Sequence, residues 1–237
     1  MGRDRVKKYT TILFDADETL LDFNKDETQA LIKTLTNHGV PTTEENINIY
    51  KEINQGLWKA LERGEIDKPT LKLVRFSRFF NKIGFETQED TFAINEEYLG
   101  NLGDGGNLLT YAKDLLIKLK AEGYDLYIVT NGIEHTQKRR LTKAGILPFF
   151  TEIFVSEAVG YQKPRKEYFD YVLSHIKEQD KTKVLLIGDS LTSDIKGATD
   201  AGIDCIWLRH DAATDCSEYN PEYIISDLRE VEEILNK

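Results

Sequence analysis

The chain has 237 residues, 40% of them hydrophobic and 30% charged, which suits one large core or a core with a smaller second lobe and excludes wholesale disorder. Its formal charge of −10 and pI near 5.0 repel the phosphate backbone of long nucleic acid and anionic membrane surfaces, so neither is an expected partner. A single phosphorylated metabolite is not excluded, because one metal ion and one or two local cations hold it against an unfavourable net field.

In chain order, Met1 to Thr11 is polar and basic with no apolar run to follow, which gives neither a signal peptide nor a membrane span. Val6 stands where a myristoylation signal needs Ser or Thr. The run Thr10 to Asp15 is short, β-branched and apolar and ends abruptly in acids, as a buried parallel strand does. From Phe23 to Gly105 there are helical spacings, such as Leu31 with Leu35 and Leu73 with Phe76 and Phe80, and no convincing strand. The stretch Asn101 to Asn107 is glycine-rich and polar, which suits a flexible joint between lobes. Further strands are predicted at Asp125–Val129, Glu152–Val155, Lys183–Ile187 and Asp204–Leu208, with helical patterns between them at Tyr111, Leu115, Leu116 and Leu119 and at Phe169, Val172, Leu173 and Ile176. The expected fold is α/β, a doubly wound parallel sheet with an inserted all-helical lobe. Residues 1–22 and 106–237 would form the core and 23–105 the insert. Cys205 and Cys216 make no CxxC pair, and reduced thiols in a cytoplasmic protein are expected.

The chemistry-bearing residues fall at predicted strand ends, where a parallel sheet gathers its functional groups. Asp15 and Asp17 stand two apart in an extended stretch and so leave the backbone on one side, which lets one act as nucleophile and the other as general acid. A helix cap is the plainer use of either. Thr130-Asn131-Gly132 offers a hydroxyl, an amide and main-chain N–H groups to phosphoryl oxygens, although Thr or Asn also caps helices. Lys163, before Pro164, is a candidate counter-cation for Asp15, or a solvated surface lysine. Gly188-Asp189 and Asp194 supply two more acids for a hard cation, with the main-chain carbonyl of Asp17 completing a site suited to Mg²⁺.

Asp15-x-Asp17-x-Thr19, Thr130, Lys163-Pro164 and Gly188-Asp189 with Asp194 together resemble the haloacid dehalogenase superfamily of phosphohydrolases across almost the whole chain. The resemblance implies two steps: Asp15 attacks phosphorus to form an aspartyl-phosphate, and Asp17 protonates the leaving oxygen and then activates water. It implies that Asp15, the Asp17 carbonyl and Asp189 hold Mg²⁺, with Asp194 touching the ion directly or through water, and that Thr130, Asn131 and Lys163 meet the phosphate. Mn²⁺ or another divalent ion is an alternative. The insert resembles a mobile helical cap. As a proton donor at neutral pH, Asp17 would need a raised pKa.

Phe14 to Leu20, Leu57-Trp58, Gly64-Glu65-Ile66, Ile128 to Gly132 and Val155 to Gly160 resemble, more narrowly, the pyrimidine nucleotidase branch. That implies a nucleoside 5′-monophosphate as substrate. Trp58, Phe76, Phe79, Phe80 and Phe85 are candidates for base stacking or, more simply, for core packing, and Arg63, Lys68, Lys72 and Arg75 for nucleotide contact or plain solvation. Another small ester such as a sugar phosphate or phosphoglycolate is the alternative substrate. A phosphoglucomutase, a dehalogenase and a phospho-accepting receiver share parts of the pattern, but a dehalogenase needs no acid at Asp17 and a receiver carries no such insert.

Overall fold

The computed structural model describes residues 8–236, so the expectations resting on residues 1–7 lie outside it. The first apolar run forms β1 (Thr11–Phe14), buried along its whole length. It is followed by β2 (Asp125–Thr130), β3 (Glu152–Val155), β4 (Val184–Gly188), β5 (Asp204–Leu208) and β6 (Tyr223–Ile225). The order across the sheet is β3-β2-β1-β4-β5-β6, with every neighbouring pair parallel. β6 was not predicted: it has three residues, too few to show a period, and only Ile225 is buried.

Alternation along the strands feeds two cores. Ile12 and Phe14 point to one face with Ile128, Leu185 and Ile187, under α5 (Ala112–Ala121) and α10 (Glu230–Leu235). Leu13, Tyr127 and Leu186 point to the other, under α8 (Lys166–His175) and α9 (Lys196–Ala201). Helices therefore cover both faces, as near-continuous apolar strands require.

Between β1 and α5 the chain forms α1 (Phe23–Asn37), α2 (Glu44–Glu62), α3 (Lys68–Ile83) and α4 (Thr91–Gly103). Asp22, Thr43, Asp67 and Asp90 cap their first turns with side-chain oxygens. These helices share an apolar cluster of their own, with Tyr50, Phe76, Phe79, Phe80 and Tyr98 at its centre. Phe76, Phe79 and Phe80 are thus core residues, and Phe85 packs on the margin of that cluster. The predicted joint starts later than expected, because α4 continues through Gly103. Its glycines serve close approach rather than looseness: a Cβ on Gly105 would sit 2.6 Å from Asp26 Cγ, and one on Gly106 2.8 Å from the Ala144 main-chain nitrogen.

Register brings the site together. Phe14 lies opposite Ile128 on one side and Ile187 on the other, so the chain leaves β1, β2 and β4 at one level. Loops at this edge are where a doubly wound sheet presents ligands. Among the described residues no helix is long and apolar enough to cross a membrane.

Candidate active site

Asp15 follows β1, Asp189 follows β4, and Asp194 lies in the π-helical turn Leu191–Ile195. One carboxylate oxygen from each falls within 4.8 Å of the others. Lys163, from the loop between α7 (Ser156–Val159) and α8, is 1% exposed. Its Nζ donates to Asp15 Oδ1 at 2.6 Å, Asp194 Oδ1 at 2.6 Å and the Val129 carbonyl at 2.8 Å, which uses all three of its protons. The surface alternative for this lysine is thereby removed.

Burial raises the Asp15 pKa to about 7, with Lys163 opposing the shift and Asp194 and Asp17 adding to it. Asp189 is pushed well above the usual carboxylate range by burial and by the charges of Asp15 and Asp194. Lys163 is held protonated by Asp15 and Asp194 in spite of its burial. Three acids against one ammonium leave a surplus of negative charge on hard oxygen donors. That is the donor set of a divalent cation such as Mg²⁺, so the residues fit one.

The cluster is braced from outside. Asn131 spends its side chain on the main chain of Lys163, donating from Nδ2 to the carbonyl at 2.9 Å and accepting from the N–H at 2.8 Å. The structure thus places that amide against the main chain of Lys163, in the wall of the same chamber as Asp15 and Thr130. Asp194 Oδ2 accepts from the Ser190 N–H, and Trp207 Nε1 donates to the Asp189 carbonyl. Gly188 is where Asp194 folds back, and a Cβ there would lie 2.5 Å from Asp194 Cγ. Gly188→Ala is therefore expected to displace Asp194 and, through it, Lys163, lowering kcat by about a hundredfold and stability by about 1–3 kcal/mol. Steady-state kinetics and a thermal melt check this; unchanged kcat would mean that Asp194 need not sit where it does.

Asp17 faces a different set of groups. Arg140 Nη1 pairs with Asp17 Oδ1, and Gln137 Nε2 donates to Asp17 Oδ2. Gln137 also donates to Thr130 Oγ1 at 3.1 Å, which in turn accepts from the Gly132 N–H. Arg140 is buried and also holds Asp26 of α1, through Nη2 at 2.9 Å. Its pKa is raised overall, burial being outweighed by Asp17 and then Asp26. Both donors come from α6 (Glu134–Lys143), and neither was singled out from sequence. Their signal was their spacing: Gln137, Arg140 and Leu141 lie three and four apart, the buried stripe of an otherwise polar helix.

Asp15, Asp17, Thr130, Lys163, Asp189 and Asp194 line one chamber of about 210 Å³, to which α2 contributes Trp58 and Glu62. A larger cavity of about 560 Å³, between Leu61–Lys68 and Ser156–Arg165, contains none of the four acids, so size does not mark the site. Of the four cations considered from sequence, Arg63 is exposed and pairs with Glu65, and Lys72 is half-buried. Lys68 Nζ donates to the Gly132 carbonyl and Ser156 Oγ at 2.8 Å each, and burial lowers its pKa to about 8. Arg75 is buried among α2, α3 and α4.

Residues 9–202 match the haloacid dehalogenase-like hydrolase family. The chain is similar to the HAD-hydrolase YfnB of Bacillus subtilis, at 43% identity over 98% of this chain and 97% of the relative. A crystal structure of YfnB bound to magnesium, which reveals interdomain movement, superposes with a TM-score of 0.91 over 98% of this chain and 100% of that one. Two further relatives are pyrimidine 5′-nucleotidases. PynA of Streptococcus pneumoniae is 38% identical over 97% of this chain and 96% of its own. YjjG of Escherichia coli is 31% identical over 97% and 99%. Shared sequence over nearly the full length, on a superposing fold, places the chain in the haloacid dehalogenase-like hydrolase family.

Proposed function

We propose that this enzyme, a phosphoric monoester hydrolase, acts on a nucleoside 5′-monophosphate through an aspartyl-phosphate at Asp15. The observation that carries this reading is Lys163, buried and bound at once to Asp15 and Asp194, with Asp189 alongside. Such a group holds a carboxylate where a phosphoryl group can meet it and supplies a fixed positive charge for the charge that the transfer develops.

Asp15 forms a bond to phosphorus as the bond to the ester oxygen breaks, and Asp17 gives that oxygen its proton. Asp17 then takes a proton from the water that attacks the aspartyl-phosphate, which frees phosphate and restores Asp15. For this Asp17 has to leave Arg140 for the ester oxygen. Asp26 remains on Arg140 when it does, so the buried guanidinium is never without a counter-charge. Thr130 and the main-chain N–H groups beside it cradle the phosphoryl oxygens, and Asn131 keeps Lys163 in place. Mg²⁺, held by Asp15, Asp189 and the Asp17 carbonyl with Asp194 direct or through water, would neutralise the acids and polarise the phosphoryl group. Mn²⁺ suits the same donors.

We read residues 23–105 as a cap over a core made of 1–22 and 106–237, since α1 to α4 carry their own apolar cluster and α2 helps line the chamber. Kinship with two pyrimidine 5′-nucleotidases supports the nucleotide substrate, and the unpaired thiols Cys205 and Cys216 suit a reducing, cytoplasmic setting. The test is phosphate release with Mg²⁺ from UMP, dTMP, ribose 5-phosphate and phosphoglycolate. A nucleotide is expected to give the highest kcat/KM, at least about tenfold above the others, with activity lost on chelation. Preference for a sugar phosphate or phosphoglycolate overturns the substrate, and full activity without metal overturns the chemistry.

A further inference from the structure

Five polar residues are buried on α2, α3 and α4 of the helical insert. Tyr50 and Asn54 come from α2, Arg75 from α3, and Asn95 and Tyr98 from α4, and none is more than 3% exposed. Among the described residues, Arg75 Nε and Nη2, Asn54 Oδ1 and Asn95 Oδ1 have no hydrogen-bond partner, and the Tyr50 hydroxyl is shared between Tyr98 and Arg75. Nor does a carboxylate come within ion-pair distance of Arg75; its guanidinium carbon lies 5.3 Å from the centre of the Tyr98 ring. Glu27, the nearby acid, instead accepts from Asn54 Nδ2 at 2.6 Å. A buried guanidinium with two unpaired N–H groups is costly, and a purely structural core has no use for one.

The position of this cluster says what pairs with it. Asn54, Arg75 and Tyr98 line a cavity of about 30 Å³ together with Asp17, Phe23 and Trp58. The last three also line the chamber over Asp15, so the small cavity adjoins that chamber on the Asp17 side. Asp17 protonates the leaving oxygen, and the alcohol half of the ester must extend from there. A space of this size holds one carbonyl oxygen or the edge of a ring, not a second fused ring.

We infer that Arg75, with Asn54 and Tyr98, forms the base-reading end of the substrate site and donates to a carbonyl oxygen of a pyrimidine. This rests on the nucleotidase reading. Guanidinium is donor only and needs an acceptor, which the C2 carbonyl of uracil or cytosine supplies; Asn54 Oδ1 accepts in return from a base N–H. Adenine carries no carbonyl oxygen, and a purine needs more room.

The test compares UMP with ribose 5-phosphate in the intact enzyme with Mg²⁺. In Arg75→Met the ratio of their kcat/KM values should fall about thirtyfold, mainly through KM for UMP, with part of the ratio restored in Arg75→Lys. Tyr98→Phe removes only the hydroxyl and keeps the ring packing, and should lower the ratio severalfold; it decides the matter if Arg75→Met does not fold. A ratio unchanged in the variants that fold, both substrates falling together, would reduce Arg75 to a structural role and overturn the inference while leaving the nucleotidase reading intact. No preference for UMP in the unaltered enzyme would overturn both.

Discussion

Asp15→Asn should cost at least about 10⁴-fold in kcat and yet leave a protein no less stable than the original when metal is absent. The first effect follows from chemistry, since an amide nitrogen or oxygen does not replace the carboxylate as nucleophile. The second follows from electrostatics. Asp15 is buried beside Asp189 and Asp194, and its pKa stands at about 7, against an ordinary value of 3.8. A raised pKa means that the folded state binds the proton more tightly than the unfolded chain between those two values. Stability from this source is full below pH 4 and is lost as pH rises through about 7. Without metal, the stability advantage of Asp15→Asn over the original should therefore grow from pH 5 to pH 8, and Mg²⁺ should narrow it by compensating the charge. Thermal melts of the two proteins across that range, with and without Mg²⁺, check it. A variant less stable than the original at pH 8 without metal would mean that Asp15 is not under repulsion.

Lys163→Met should have the opposite effect on stability and a comparable direction on rate. Its ammonium is the cation that touches both Asp15 and Asp194, and removing it leaves two buried carboxylates and the Val129 carbonyl without their donor. Breaking a buried pair on one side costs about 3–5 kcal/mol, and losing a fixed positive charge at the transferring group costs about 10²–10³-fold in kcat. The stability loss should shrink at pH 5, where Asp15 takes up a proton, and shrink again when Asp15→Asn is added, because the two residues interact directly. Urea unfolding of the single and double variants measures both. Strict additivity would show that the Lys163–Asp15 contact carries no energy.

The sheet was legible because its central strands are buried on both faces and so read as short unbroken apolar runs, as Val184–Ile187 does. The acids were legible because Asp15 and Asp189 each directly follow a strand of that kind. β6 was not, because Tyr223–Ile225 is short and lies at the sheet edge. Arg140 and Gln137 were missed for a different reason. Their partners are residues 17, 26 and 130, and only the packing of α6 across the end of β1 and the start of α1 brings them together. The contact of the Asn131 side chain with the Lys163 main chain was not legible either, because it joins a strand end to a loop more than thirty positions away. Among the aromatic residues of the insert, helical spacing does not separate Phe76, which is buried in the insert's own cluster, from Trp58, which lines the chamber.

The nucleophilic role of Asp15 is tested most directly by mixing the enzyme and Mg²⁺ with UMP labelled at its phosphorus, quenching in acid within the first turnover and mapping any label left on the protein. Label in the peptide containing Asp15, released by hydroxylamine and absent from Asp15→Asn, is the expected result. Phosphate released at the full rate with no protein-bound label at any quench time, or label that persists in Asp15→Asn, would contradict it.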